Sequence, residues 1–301
     1  MTDLSPLMEA RGPIAIACHD AGAANVLLGW LAQSGRVKDC LPAMAGPARA
    51  AWRRAFPDGP ESMPPEAAMA GAATVITGTG WQTDFEHATR VAARDASVCS
   101  IAVIDHWSNY RERFVRGGEL VLPDRIWVAD EHAHARVMAE IPEVPVTRLP
   151  PSYLDREAGA IGPVPDTGGH LLYVLEPARD AWGRGTPGEF QALDYLIANL
   201  AAAGIPPATP IRLRPHPSDE EGKYDEWLAR QGGIDARLDD EGSSLADAIG
   251  RARWVAGCQS FAMVVALAAK RGVICTLPPW APDCILPQRR LVHLKDLVAR
   301  P

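Results

Sequence analysis

Short apolar runs alternate along this chain with segments of helical period, and few folds accommodate that order. Ile14-Ala15-Ile16-Ala17-Cys18 reads as a buried strand, and Val26-Leu27-Leu28-Gly29-Trp30-Leu31 after it as a helix face. The pattern repeats: strands are predicted over 37–43, 74–77, 100–104, 125–129 and 146–149, with helices over 47–56, 83–94 and 131–141. The Pro-rich stretch 57–65 is predicted as loop. Strands and helices in alternation fold as a parallel sheet covered on both faces, so the predicted class is α/β with Rossmann-like, three-layer architecture.

Between residues 155 and 169 the periodicity stops, and Gly159, Gly162, Pro163, Pro165, Gly168 and Gly169 interrupt any element that starts there. Beyond it the alternation resumes. Strands are predicted over 170–175, 211–213, 236–238, 254–256 and 273–277, and helices over 188–203, 219–230, 243–251 and 259–270. The expected organisation is an amino-terminal domain over 1–155, a linker over 156–169 and a carboxyl-terminal domain over 170–301, two Rossmann-like halves facing a cleft.

The 47% hydrophobic content suffices for two cores. A net charge of -7 with no compensating basic run excludes an electrostatic grip on nucleic acid or an anionic membrane, so an anionic ligand must be held locally. Six cysteines are scattered without a C-x-x-C pair, and Cys18, Cys99 and Cys275 stand in apolar runs; they read as reduced core thiols. The first twelve residues lack an apolar signal core and no apolar run reaches the length of a membrane span, which points to the cytoplasm.

The chemistry-bearing residues stand where predicted strands end. Ile211-Arg212-Leu213-Arg214 runs into Pro215-His216-Pro217-Ser218, so His216 is held between two residues of locked φ at a strand's carboxyl end. Arg212 and Arg214 share one face of that strand and suit a phosphate or carboxylate. After residue 18 comes His19-Asp20-Ala21-Gly22-Ala23-Ala24-Asn25, whose spacing fits neither a dinucleotide fingerprint nor a Walker loop. It offers a helix amino terminus that an anion can face, Gly22 for close backbone approach, and Asp20 as either a catalytic group or the helix cap. Thr83 and Glu86 have capping-box spacing. After residue 104 comes the densest polar and aromatic cluster, Asp105-His106-Trp107-Ser108-Asn109-Tyr110-Arg111-Glu112-Arg113-Phe114. It reads as a pocket wall or, alternatively, as aromatics covering the sheet edge with Asp105 capping a turn. His19, Asp20, Asp105 and His106 leave strands of one parallel sheet and so emerge on one edge, expected to face His216 across the cleft.

Two such halves, a Gly-containing first turn, Arg214-Pro215-His216-Pro217 and, after a further strand, Gly257-Cys258-Gln259-Ser260-Phe261-Ala262-Met263 together resemble the GT-B glycosyltransferase superfamily. The pattern is most similar to its surface and capsular polysaccharide branch, the sialyltransferases, Kdo transferases and glycerophosphotransferases with an R-x-H-P type motif. The likeness is strongest over 211–278 and pattern-level over 14–151. It implies that His216 and Ser260 contact the phosphate of an activated sugar, with Gln259 and Arg214 beside them. Asp240-Glu241-Gly242 matches the letters of the sialyltransferase acidic motif but follows the His-Pro motif, so it is assigned to a turn before a Ser243 cap.

The expected function is a metal-independent glycosyltransferase taking a nucleotide-activated sugar, CMP- or UDP-linked, and a glycan or small hydroxyl acceptor. Asp20 or Asp105 is the expected base, His19 and His106 the next candidates, and Arg214, His216 and Ser260 serve the leaving phosphate. No D-x-D stands in a suitable loop, so no metal is implied, and the nucleotide sugar is the only small molecule called for. The alternatives are a non-catalytic subunit that binds a sugar nucleotide or glycan, and a sugar-nucleotide epimerase or hydrolase using the same phosphate site.

Overall fold

In the computed structural model, residues 3–80, 83–177, 180–216, 219–240 and 242–299 are described; Pro217, Ser218 and Glu241, which figure in the motifs above, lie outside them. The chain divides into two compact units, Met1–Arg156 and Glu157–Pro301.

The first unit is built on β1 (Ile14–Cys18), β2 (Cys40–Met44), β3 (Thr74–Thr77), β4 (Cys99–Ile104), β7 (Arg125–Val128) and β8 (Val146–Arg148), in the order β2-β1-β3-β4-β7-β8, each neighbouring pair parallel. A hairpin of β5 (Val115–Arg116) and β6 (Glu119–Leu120) is inserted after β4. The side-chain alternation of β1 sorts the two faces. Ile14, Ile16 and Cys18 pack with Leu27, Trp30 and Trp127 beneath the helix Ala21–Ser34, whereas Ala15 and Ala17 pack with Ala68, Val75 and Ala93 beneath the helices Pro65–Ala70 and Phe85–Asp95. Each large side chain withdrawn from water contributes roughly 2 kcal/mol. Trp30 and Trp127 meet edge to face, 6.1 Å between ring centroids.

The second unit is built on β9 (His170–Val174), β10 (Ile211–Arg214), β11 (Ala236–Leu238), β12 (Ala252–Gly257), β13 (Gly272–Cys275) and β14 (Val292–His293), in the order β11-β10-β9-β12-β13-β14, again parallel throughout. Leu171, Tyr173, Ile211, Leu213 and Trp227 form its main core. Both units are Rossmann-like α/β domains, as the alternation predicts.

Several expectations need correction. The helix Ser152–Gly159 occupies the start of the stretch read as aperiodic, because Tyr153 to Ala158 contain neither glycine nor proline and the breakers begin at Gly159. The helix expected over 219–230 is confined to Asp225–Ala229, since Gly222 takes a φ of 78°. The helix Pro65–Ala70 was not expected; Pro65 stands in its first turn, where a missing N–H costs nothing. Ser244, not Ser243, caps the helix Leu245–Arg251, in a reciprocal box with Asp247. Cys99 is exposed at the amino end of β4, while Cys18, Cys40, Cys258 and Cys275 are buried; all six cysteines are thiols rather than half-cystines. Among the described residues no helix is long and apolar enough to cross a membrane.

Candidate functional site

A parallel sheet binds ligands outside the carboxyl ends of its strands at the point where the strand order reverses, because there the two following helices leave on opposite faces. In the first unit that point lies between β1 and β3, and in the second between β9 and β12. The two exits of the first unit carry His19, Asp20 and Gly22 after β1 and Gly78, Thr79 and Gly80 after β3, with Asp105 after β4 beside them.

Asp20 caps the helix Ala21–Ser34, accepting from the Gly22 amide at 3.2 Å. The cap and the functional reading coexist, since the Asp105 carboxylate lies over the same turn: a Cβ at Gly22 would fall 1.9 Å from Asp105 Oδ2. Asp105 is paired with Arg113, whose Nη1 is 3.5 Å from Oδ1, the two side chains being 14% and 5% exposed. Arg113 also donates to the carbonyls of Ser108 (3.0 Å) and Thr79 (3.3 Å), so it is fixed at three points and in turn fixes Asp105. Burial first, and the Asp105 charge second, hold the Asp20 proton above the ordinary aspartate range.

Glu86 contributes in a way the sequence reading misses. It stands second in the helix Phe85–Asp95, whose cap is Asp84, and instead of returning to Thr83 it turns inward. Its Oε1 accepts from the His19 amide at 2.8 Å and the Asp20 amide at 3.4 Å, holding the β1 turn. The side chain is 1% exposed, and Oε2 has no hydrogen-bond partner among the described residues. A Cβ at Gly80 would approach Asp20 Cβ to 3.0 Å and Glu86 Oε1 to 3.3 Å, so the β3 exit passes close by only because it is glycine. Arg90, one helical turn on, donates to the Thr77 hydroxyl (3.0 Å) and the Gly78 carbonyl (2.9 Å), and burial pulls its guanidinium down to about 10.

The aromatic half of the 105–114 cluster is core. Trp107, Tyr110 and Phe114 are buried, the Trp107 indole donates to Asp130 at 3.0 Å, and Arg136 donates to the Trp107 carbonyl and lies over the Tyr110 ring. The polar half divides: Asp105 turns to the β1 exit, and His106 is half-buried, with Nδ1 3.4 Å from the Ser108 hydroxyl. The His19 ring packs on the Gly46 turn, where a Cβ would lie 2.5 Å from Nε2.

In the second unit, Glu176 leaves β9 and its carboxylate accepts from the Gln259 amide, closing the exit of β12. Gln259 Oε1 accepts from the Ile285 amide at 3.2 Å, and Ser260 caps the helix Phe261–Ala268 through the Ala262 amide at 3.2 Å. His216 follows β10; Asp219 accepts from its amide at 2.9 Å and is itself held by Lys223 (2.7 Å) and the Tyr224 hydroxyl (3.1 Å). Burial pushes the His216 imidazole below its ordinary value. Arg214 is engaged otherwise: it donates to Asp239 at 2.7 Å and to the Ser243 carbonyl at 2.9 Å. Glu176 was overlooked although it stands at a strand exit, the criterion that singled out Asp20 and Asp105. No group of three or more His, Cys, Asp or Glu among the described residues is arranged to hold a metal ion.

The Asp20 environment sets a pH signature. Its folded value lies above the ordinary 3.8, so its contribution to stability is complete below 3.8 and is lost as pH rises through the folded value. Asp20→Asn keeps an equally good cap and removes the charge. The variant is expected to be more stable than the parent at pH 7, with the advantage shrinking on acidification and absent below 3.8, as read by urea denaturation across pH.

No protein-family model matches the sequence, and comparison with curated proteins finds no match. Solved structures do match. Methanocaldococcus jannaschii UDP-GlcNAc 2-epimerase in complex with UDP-GlcNAc and UDP superposes with a TM-score of 0.64 at 10% identity, covering 95% of this chain and 91% of that one. The fold is GT-B-like. Staphylococcus aureus MnaA with UDP (TM-score 0.58, 11% identity, 87% and 78% covered) and Anabaena HepE with UDP and glucose (0.53, 11%, 88% and 80%) share it. At such identities the likeness is one of fold.

Proposed function

We propose that this GT-B-like chain is a nucleotide-sugar enzyme that works by proton transfer on the sugar of a UDP-sugar, as an epimerase, and not as the glycosyltransferase first expected. The observation that carries this reading is the pair of carboxylates in unlike surroundings at the first switch point. Asp20 is one whose proton burial and a neighbouring charge favour; Asp105 is one paired with a buried guanidinium. Such a pair divides acid and base roles between chemically identical groups. Epimerisation needs both, a base that takes a proton from a sugar carbon and an acid that returns one from the other face, whereas inverting transfer needs a single base. Glu86 sets the turn that aims Asp20, and Arg113 aims Asp105. In the second unit the Ser260 turn, Gln259 and His216 offer amide, hydroxyl and imidazole donors suited to a diphosphate. The solved structures of this fold that contain UDP or UDP-GlcNAc support the choice of nucleotide.

Calorimetry with UDP, CMP and GDP tests the nucleotide. UDP is expected to bind most tightly, and at 100 times its Kd to stabilise the protein by about 2.7 kcal/mol. His216→Ala should weaken UDP by about tenfold, the loss of one hydrogen bond of about 1.4 kcal/mol. Equal binding of the three nucleotides, or unchanged affinity in a folded variant, contradicts the assignment.

A further inference from the structure

Two thiols converge on the Cys258 carbonyl, at the turn that carries Gln259 and Ser260. Cys275 ends β13 and is 1% exposed; its thiol donates to the Cys258 carbonyl at 3.0 Å. Cys284, half-buried, reaches the same carbonyl at 3.7 Å. The two thiols thus converge on one carbonyl oxygen. The residue after Cys284, Ile285, donates its amide to Gln259 Oε1, so this short loop is tied directly to the turn.

We propose that Cys275 and Cys284 are a redox-responsive thiol pair that closes to a disulfide and so loosens the Gly257–Ser260 turn. Cys284, the thiol with access to solvent, attacks a low-molecular-weight disulfide such as oxidised glutathione, forming a mixed disulfide and releasing one glutathione thiolate. Cys275 then loses its proton to solvent, attacks the Cys284 sulfur and expels the second glutathione thiolate. Two electrons pass from the two protein thiols to the glutathione disulfide, which leaves as two thiols. The neighbouring Cys284 thiol first, and burial second, push the Cys275 thiol up, which gives the first attack to Cys284. Closure removes both S–H donors from the Cys258 carbonyl and draws the Ile285 amide with Cys284. The consequence for ligand binding rests on the assignment of that turn to the nucleotide phosphate; the disulfide itself does not.

The test is to incubate the full chain with oxidised glutathione, block the remaining thiols, digest and map by mass spectrometry. Expected is a Cys275–Cys284 cross-linked peptide, lighter by two hydrogens and reversed by dithiothreitol, with Cys275 recovered as a free thiol in Cys284→Ser. Cys284 left as a stable glutathione adduct with Cys275 free, or a Cys275–Cys258 link, overturns the pairing. In the oxidised protein UDP affinity is expected to fall several-fold; affinity equal to that of the reduced protein overturns the regulatory role. The mapping needs no ligand, so it is independent of whether UDP is the nucleotide.

Discussion

Gly22→Ala is expected to lower turnover of a UDP-sugar by about 100-fold in a protein that still folds cooperatively. The added Cβ would lie 1.9 Å from Asp105 Oδ2 and 3.0 Å from Asp105 Cγ, and the carboxylate is the part free to move. It can swing away only by leaving its place between Arg113 and the β1 turn, and a displacement of about 1 Å in a reacting group costs on the order of 100-fold. Stability is expected to fall as well, because moving the carboxylate weakens its pairing with a guanidinium that is 5% exposed, which outweighs the up to about 1 kcal/mol by which alanine outranks glycine in a helix. A single cooperative urea transition, with turnover collapsed where the protein is still fully folded, separates this from simple misfolding. Parent-like turnover in a stable variant would show that Asp105 has no part in the reaction.

Asp105→Asn is expected to have the largest effect on chemistry, a fall of about 100- to 10,000-fold in kcat, since a general base acts on the transition state. UDP affinity should stay within about threefold of the parent's, because the nucleotide contacts are assigned to residues of the second unit. Asparagine keeps an acceptor for Arg113 but not the charge, and that guanidinium is 5% exposed, so some stability is lost as well. The Asp20→Asn variant, expected to gain stability at neutral pH, is the matching control. Opposite stability changes with a common loss of turnover indicate two carboxylates held together for function at a cost in folding.

Strand exits were the most legible feature. Ile14–Cys18, Cys99–Ile104 and Ile211–Arg214 are apolar or alternating runs stopped by a change of chemistry, and Asp20, Asp105 and His216 follow from where such runs stop. That Asp20 and Asp105 share one turn follows from strand order and from Gly22, which no local pattern announces. Glu86 was hidden because its spacing from Thr83 imitates a capping box, while its partners, the His19 and Asp20 amides, are 67 and 66 residues away. Arg214 was over-read for the complementary reason: an arginine at a strand end suits phosphate, yet Asp239, after the adjacent strand, takes it into an ion pair. The shortened helix at Asp225–Ala229 turns on Gly222, whose φ of 78° is a backbone choice that helical periodicity does not register.

The most direct measurement is a proton NMR time course of UDP-GlcNAc with the protein in deuterated water. Proton transfer on the sugar predicts that one sugar ring C–H signal is lost to deuterium as an epimer accumulates, with no acceptor added, and that neither change occurs with Asp105→Asn. A sugar that keeps every ring proton, together with UDP released only when a hydroxyl acceptor is supplied, would contradict it and return the chain to glycosyl transfer.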